Sequence, residues 1–186
     1  MKQYILFDFD GTLVDSRQSA LTIFNQLADK YHFKHILPED IEPLRKLSLL
    51  QRCRFLKLPI YKIPFIVREA RLLYRSHLQN ICLFEGIKPM LEELTKRHFT
   101  LAVLSSNSES NIQTILQKNH IDTIDSIIAG STLFSKQTLI KKFIKVNKLH
   151  PSQLIYVGDE LRDVIACKKS GVPIIWVSWA MMQWKL

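Results

Sequence analysis

Glycine is scarce in this chain, with 5 in 186 residues, and none stands between Gly11 and Gly86. That gap also shows no alternation of apolar and polar residues, so a sheet built on tight turns is excluded there and helices are expected. Cysteine is scarce as well: Cys53, Cys82 and Cys167 are widely spaced and form no Cys-x-x-Cys pair. Neither a disulfide framework nor a zinc site follows from such spacing, and reduced thiols in a cytoplasm are the simpler expectation. Long apolar runs are missing too. The first is cut short at Asp8, unlike a secretion signal, and the longest uncharged run, which opens at Val172, is too short to span a bilayer. The chain is therefore expected to be cytoplasmic, with no membrane partner. Acid is nearly absent from Arg45 to Arg75, where Glu69 stands alone against Arg45, Lys46, Arg52, Arg54, Lys57, Lys62, Arg68, Arg71 and Arg75. The formal net charge is +9. Such a balance invites a nucleic-acid reading, yet so local an excess fits a solvated helical face or a field that steers a small anion. A nucleic-acid partner is not expected.

What the chain does contain is an apolar strand, Tyr4-Ile5-Leu6-Phe7, that stops at Asp8-Phe9-Asp10-Gly11-Thr12-Leu13. Alternation along a strand sends Asp8 and Asp10 to one side and Phe9 to the other. Gly11 permits dihedrals that bring backbone amides near a bound anion, although Asp-Gly is also an ordinary turn signal. Ala20, Phe24, Leu27 and Tyr31 then recur at helical spacing. Leu47, Leu50, Phe55 and Leu58, followed by Ile66, Ala70, Leu73 and His77, read as short helices punctuated by Pro38, Pro43, Pro59 and Pro64. Residues 16–83 are read as a helical insertion, leaving 1–15 and 84–186 as a core.

In that core, helix patterns alternate with apolar strands at Phe99–Leu104, Ser126–Ala129, Leu154–Val157 and Pro173–Val177. The fold class expected is α/β, a Rossmann-like parallel sheet covered by helices, with a small all-helical cap inserted. The carboxyl ends of parallel strands share one edge, so Asp8 and Asp10, Ser106 and Asn107, and Asp159 and Asp163 are expected to meet there. Lys141, Lys142, Lys145 and Lys148 read as a solvated helix face. At the end of the chain Trp179, Met181, Met182 and Trp184 are expected to pack locally or to form an interface.

The string Asp8-Phe9-Asp10-Gly11-Thr12-Leu13 after an apolar strand resembles the first motif of the haloacid dehalogenase-like phosphohydrolase superfamily. The insertion between the first and second motifs is similar to the type 1 cap of its phosphoglycolate phosphatase-like branch. The resemblance implies that Asp8 is the phosphoryl-accepting nucleophile and Asp10 the general acid/base, with Gly11 and Thr12 completing the motif. It implies that Ser106, with Asn107, binds the phosphoryl group as the second motif, Ser105 being the alternative register. It matches Lys136 to the lysine that neutralises that group, although Gln137 follows where many relatives have proline. It matches Asp159 and Asp163 to the acids of the fourth motif.

A carboxylate approaching a phosphate dianion at about 4 Å meets a repulsion of roughly 4 kcal/mol at an effective dielectric near 20, so a cation is needed. Hard oxygen ligands favour Mg²⁺. The resemblance assigns it to the carboxylates of Asp8 and Asp159 and the backbone carbonyl of Asp10, with Asp163 acting through water or on the lysine. A Mg²⁺-dependent hydrolysis of a small phosphorylated metabolite, through an aspartyl phosphate, is the expected activity. A phosphoglucomutase-type phosphotransferase, a phosphate-binding protein without catalysis and a nucleic-acid binder are the alternatives.

Overall fold

The computed structural model describes residues 3–45, 47–129 and 136–179. The chain divides into two compact units, Arg17–Asn80 and the residues on either side of it. In chain order the elements are β1 (Tyr4–Phe7), β2 (Val14–Asp15), α1 (Arg17–Tyr31), α2 (Ile41–Arg45), α3 (Leu49–Phe55), α4 (Ile63–His77), β3 (Cys82–Leu83), α5 (Ile87–Lys96), β4 (Thr100–Ser105), α6 (Glu109–Lys118), β5 (Ser126–Ala129), α7 (Lys136–Val146), β6 (Leu154–Gly158), α8 (Leu161–Ser170) and β7 (Ile174–Trp176). Gly130, Lys46, Met181, Met182 and Trp184 lie outside the described residues.

Five strands form one parallel sheet in the order β5-β4-β1-β6-β7. Its middle strand, β1, is buried at Ile5, Leu6 and Phe7, which is why it reads as an unbroken apolar run rather than an alternating one. Register sets Phe7 level with Val103 and Val157, so the chain leaves β1, β4 and β6 at the same edge. The winding reverses beside β1, and that is where an open α/β sheet has a crevice. Leu6, Ala102, Leu104, Leu154 and Tyr156 of the sheet pack against Ile140 and Phe143 of α7 and Ala166 and Cys167 of α8. That burial fixes α7 and α8, and with them Lys136 and Asp163 at their first turns. The last turn of α8 closes on Gly171 at φ 68°, a left-handed cap suited to glycine.

The boundary read from the sequence is corrected at one end. Cys82–Leu83 is a strand, paired antiparallel with Val14–Asp15, and belongs with the sheet unit rather than with the helices. Two residues per strand are too few for any period to register.

Within the helical unit, α1 and α4 share a core of Ile23, Leu27, Ala28 and Ile66, joined by Phe33. Glu69 of α4, the lone acid of the basic stretch, accepts hydrogen bonds from Lys30 at 2.5 Å and from the Tyr31 hydroxyl at 2.7 Å. It tethers α4 to α1 instead of balancing the surface cations. Ser48 and Gln51 form a reciprocal cap that starts α3, the Ser48 amide donating to Gln51 Oε1 at 2.9 Å. In α3 Cys53 is buried, as is Leu56 just after it, whereas Leu50 is 56% and Phe55 37% exposed. Leucine content does not set the rotation of a helix of under two turns. Among the described residues no helix is long and apolar enough to cross a membrane, and Cys53, Cys82 and Cys167 are free thiols.

Candidate active site

The strand that carries the first motif ends sooner than alternation requires. β1 stops at Phe7, although the Asp8 amide still donates to the Val157 carbonyl at 2.8 Å. Beyond it a tight loop is organised around the Phe9 carbonyl, which accepts from Leu13 at 2.9 Å and Val14 at 3.1 Å, while the buried Phe9 ring anchors the loop. Asp10 is therefore placed by a turn and not by the pleat. Gly11 takes the unusual dihedral expected of it, at φ 82°. Its amide donates to the Val14 carbonyl at 2.9 Å and so serves the loop. What demands glycine is φ 82° together with the close approach of Asp159, whose Cγ would lie 2.8 Å from an added Cβ. Gly11→Ala is expected to destabilise by more than about 1 kcal/mol and to weaken cation binding, read by urea unfolding and calorimetric Mg²⁺ titration. A variant that keeps both would show that Asp159 does not need this space.

Asp8, Asp159 and Asp163 each offer an oxygen, and the three lie within 4.8 Å of one another. Lys136, at the first turn of α7 with its side chain only 9% exposed, donates to both Asp8 and Asp163. Thr12 donates its hydroxyl to Asp159 Oδ1 at 3.1 Å, which ties the loop after β1 to the one after β6. Asp163 is fully buried and accepts from the Glu160 amide at 3.1 Å and from the Tyr156 hydroxyl at 3.3 Å.

Burial pushes the Asp8 carboxyl up to about 7, with Lys136 pulling it down and Asp163 adding to the rise. Burial, then the charges of Glu160 and Asp163, push Asp159 up to about 6. For Lys136 burial works against the charge, but Asp8 and Asp163 outweigh it and hold the amine above its ordinary value. One lysine does not neutralise this many buried acids. A compact set of hard oxygen donors, with the Asp8 and Asp159 carboxyls held above their usual range, fits a small divalent cation.

Across the crevice, Asn107 Nδ2 donates to Asp10 Oδ2 at 3.2 Å. The amide is oriented by its own Oδ1, which accepts from the Ser108 amide at 2.8 Å and from Asn111 Nδ2 at 3.0 Å. Ser105, the alternative register, is buried and its hydroxyl accepts the Asn107 amide at 3.1 Å, while Ser106 is half-buried just past the end of β4. Sequence reading missed Tyr156, Gly158, Arg162, Trp176 and Trp179. Gly158 could have been found from the motif: a Cβ there would lie 2.6 Å from Asp163 Oδ2. Arg162 pairs with Glu160 and adds positive potential at Asp8. The aromatic residues gave no signal, because a tyrosine or tryptophan in a strand looks like core. Trp179 packs locally, its ring centroid 6.3 Å from that of Phe84.

Known proteins resemble this chain in sequence and in fold. The sequence model of the haloacid dehalogenase-like hydrolase family matches residues 5–177. The chain is 32% identical over 178 residues to the phosphoglycolate phosphatase of Synechococcus elongatus, covering 95% of this chain and 84% of that protein. It is 20% identical over 184 residues to the pyrophosphatase PpaX of Bacillus mycoides, covering 95% and 84%. Among solved structures, a haloacid dehalogenase-like family hydrolase from Streptococcus pneumoniae superposes with a TM-score of 0.81 at 22% identity, over 99% of this chain and 91% of that one. With the family match running from the first strand to the last, the chain belongs to the haloacid dehalogenase-like hydrolases.

Proposed function

We infer that this protein is a Mg²⁺-dependent phosphohydrolase of small phosphate monoesters that works through an aspartyl phosphate at Asp8, with phosphoglycolate as the first substrate to test. The observation that carries this reading is the meeting of Asp8, Asp159 and Asp163 within 4.8 Å, with Lys136 bridging the first and the last. Residues 128 positions apart in sequence are brought into contact there. The choice of phosphoglycolate is supported by the 32% identity to the phosphoglycolate phosphatase of Synechococcus elongatus. Three free thiols fit a reducing compartment such as the cytoplasm.

Asp8 and Asp159, with the Asp10 carbonyl, would hold the cation, which when bound offsets the repulsion between the nucleophile and the phosphate dianion. Asp8 attacks phosphorus, and the bond to the leaving oxygen breaks as Asp10 gives that oxygen its proton. Asp10, now a carboxylate held by Asn107, takes a proton from water as that water attacks the aspartyl phosphate. Phosphate leaves, and Asp8 and Asp10 return to their starting states. Lys136 and the Ser106 hydroxyl stabilise the charge on the transferring oxygens. Asp163, buried and bonded on several sides, holds the lysine in place.

Purified protein with Mg²⁺ is expected to release phosphate from phosphoglycolate and from p-nitrophenyl phosphate, and EDTA to suppress release at least about a hundredfold. Folded protein that releases none from a broad panel of monoesters in Mg²⁺ would remove this reading.

A further inference from the structure

The segment that ends the sheet reaches back to both loops of the carboxylate site. Trp176, the last residue of β7, donates its indole N–H to the Asp159 carbonyl at 3.1 Å. The next residue, Val177, donates its amide to the Gly158 carbonyl at 3.0 Å. Trp179 donates its indole N–H to the Thr12 carbonyl at 3.1 Å, with its ring beside Phe84. Phe84 in turn donates its amide to the Leu13 carbonyl at 3.1 Å. Between the two loops runs the hydrogen bond from Thr12 to Asp159 at 3.1 Å. So the two residues that form this bond are each held by an indole, and the two indoles stand on one short piece of chain.

We propose that Trp176 and Trp179 are positioning residues, a paired indole clamp that holds the Thr12 and Asp159 loops at the separation at which Asp8 and Asp159 share a divalent cation. Indole suits this task because it is a rigid side chain with one donor and no acceptor, so it can fix a carbonyl without competing for the cation. Nearly half of the Trp176 surface is exposed, so its bond to Asp159 rather than burial accounts for its placement. The clamp's bonds are to the backbone carbonyls of Asp159 and Thr12 and not to their side chains. It acts through Thr12 and Asp159, and it rests on the cation reading above.

The test is calorimetric titration of Mg²⁺ into the whole protein and into Trp176→Phe, Trp179→Phe and the double variant, each checked by thermal melting. Each single variant is expected to bind Mg²⁺ several-fold more weakly and the double variant about 10 to 100-fold more weakly, the range typical of groups that orient metal ligands. At saturating Mg²⁺ kcat is expected to return to within about threefold of the parent, as fits residues that place the ligands and leave the chemistry alone. Benzothienylalanine at either position removes the N–H and keeps the ring shape, so it separates the hydrogen bond from packing if a phenylalanine variant folds poorly. Parent-like Mg²⁺ affinity in folded variants overturns the clamp alone. Failure of the unaltered protein to bind Mg²⁺ overturns the cation reading and the clamp with it.

Discussion

Replacing Asp8 by Asn is expected to lower turnover by about 10⁴ to 10⁶-fold, the scale seen when a covalent nucleophile is removed, and to raise stability in metal-free solution. The second half of this result follows from the site's electrostatics. Burial holds the Asp8 carboxyl at about 7, above its ordinary 3.8, despite the adjacent lysine. The folded chain therefore binds this proton more tightly than the unfolded chain does. Stability contributed by the group is fully present below about 4 and is lost as pH rises through about 7. Asparagine has no charge to bury, and Lys136 keeps Asp163 as its partner. In EDTA at pH 8 the Asn variant should thus unfold at higher denaturant than the parent, by an amount on the order of a few kcal/mol. The gap should close as pH falls toward 4. Saturating Mg²⁺ should reverse the order, because the parent then gains binding free energy that the variant largely lacks. An Asn variant that turns over normally would end the nucleophile assignment, and a gap that widens at low pH would show that Asp8 is not strained by burial.

Much of this site is legible in the sequence because its chemistry needs particular residue types at fixed spacings. Asp8, Asp10, Gly11 and Thr12 lie next to one another, and Asp159 and Asp163 sit one helical turn apart after an apolar strand. A parallel sheet then forces the two groups to one edge, whatever the loops between them do. Lys136 was legible only through the family resemblance, since a lysine at a helix start is ordinarily solvated. The unusual dihedral of Gly11 was legible, but its crowding was not, because the carboxylate beside it belongs to Asp159, far away in sequence. The same holds for Tyr156, Trp176 and Trp179, whose hydrogen bonds to Asp163, Asp159 and Thr12 exist only once the strands are side by side. In the helical unit the helical character was legible and the rotation of the helices was not: Cys53 and Leu56 are buried while Leu50 and Phe55 are exposed. Long-range contacts make the difference, and no local pattern encodes them.

Lys136→Met should show how far the site depends on one amine. The side chain is nearly buried between Asp8 and Asp163, and methionine keeps much of its volume while removing its charge. Two buried carboxylates would then face each other with only the Arg162 charge left to offset them. Removing one member of a buried ion pair costs about 3–5 kcal/mol, and a loss of that order is expected at pH 8 in EDTA. Lysine itself stays charged over the whole working range, since its pKa is raised above the ordinary value, so any change of the deficit between pH 8 and 5 must come from the acids. The Asp8 pKa, which Lys136 pulls down, rises further without the amine, and its protonation on folding becomes easier as pH falls. The deficit is therefore expected to shrink toward pH 5, opposite in trend to an ordinary packing defect, which is indifferent to pH. Mg²⁺ should restore part of the stability by supplying positive charge at the same carboxylates, whereas turnover should remain about 10² to 10⁴-fold low because the transferring oxygens lose a fixed cation. Lys136→Arg is not expected to rescue, as a planar fork cannot occupy a place shaped for a single ammonium between two acids. Denaturant unfolding at both pH values, with and without Mg²⁺, measures the stability terms, and phosphate release measures the last. A Met variant as stable as the parent at pH 8 would mean that Asp8 and Asp163 do not rely on Lys136 for their charge balance.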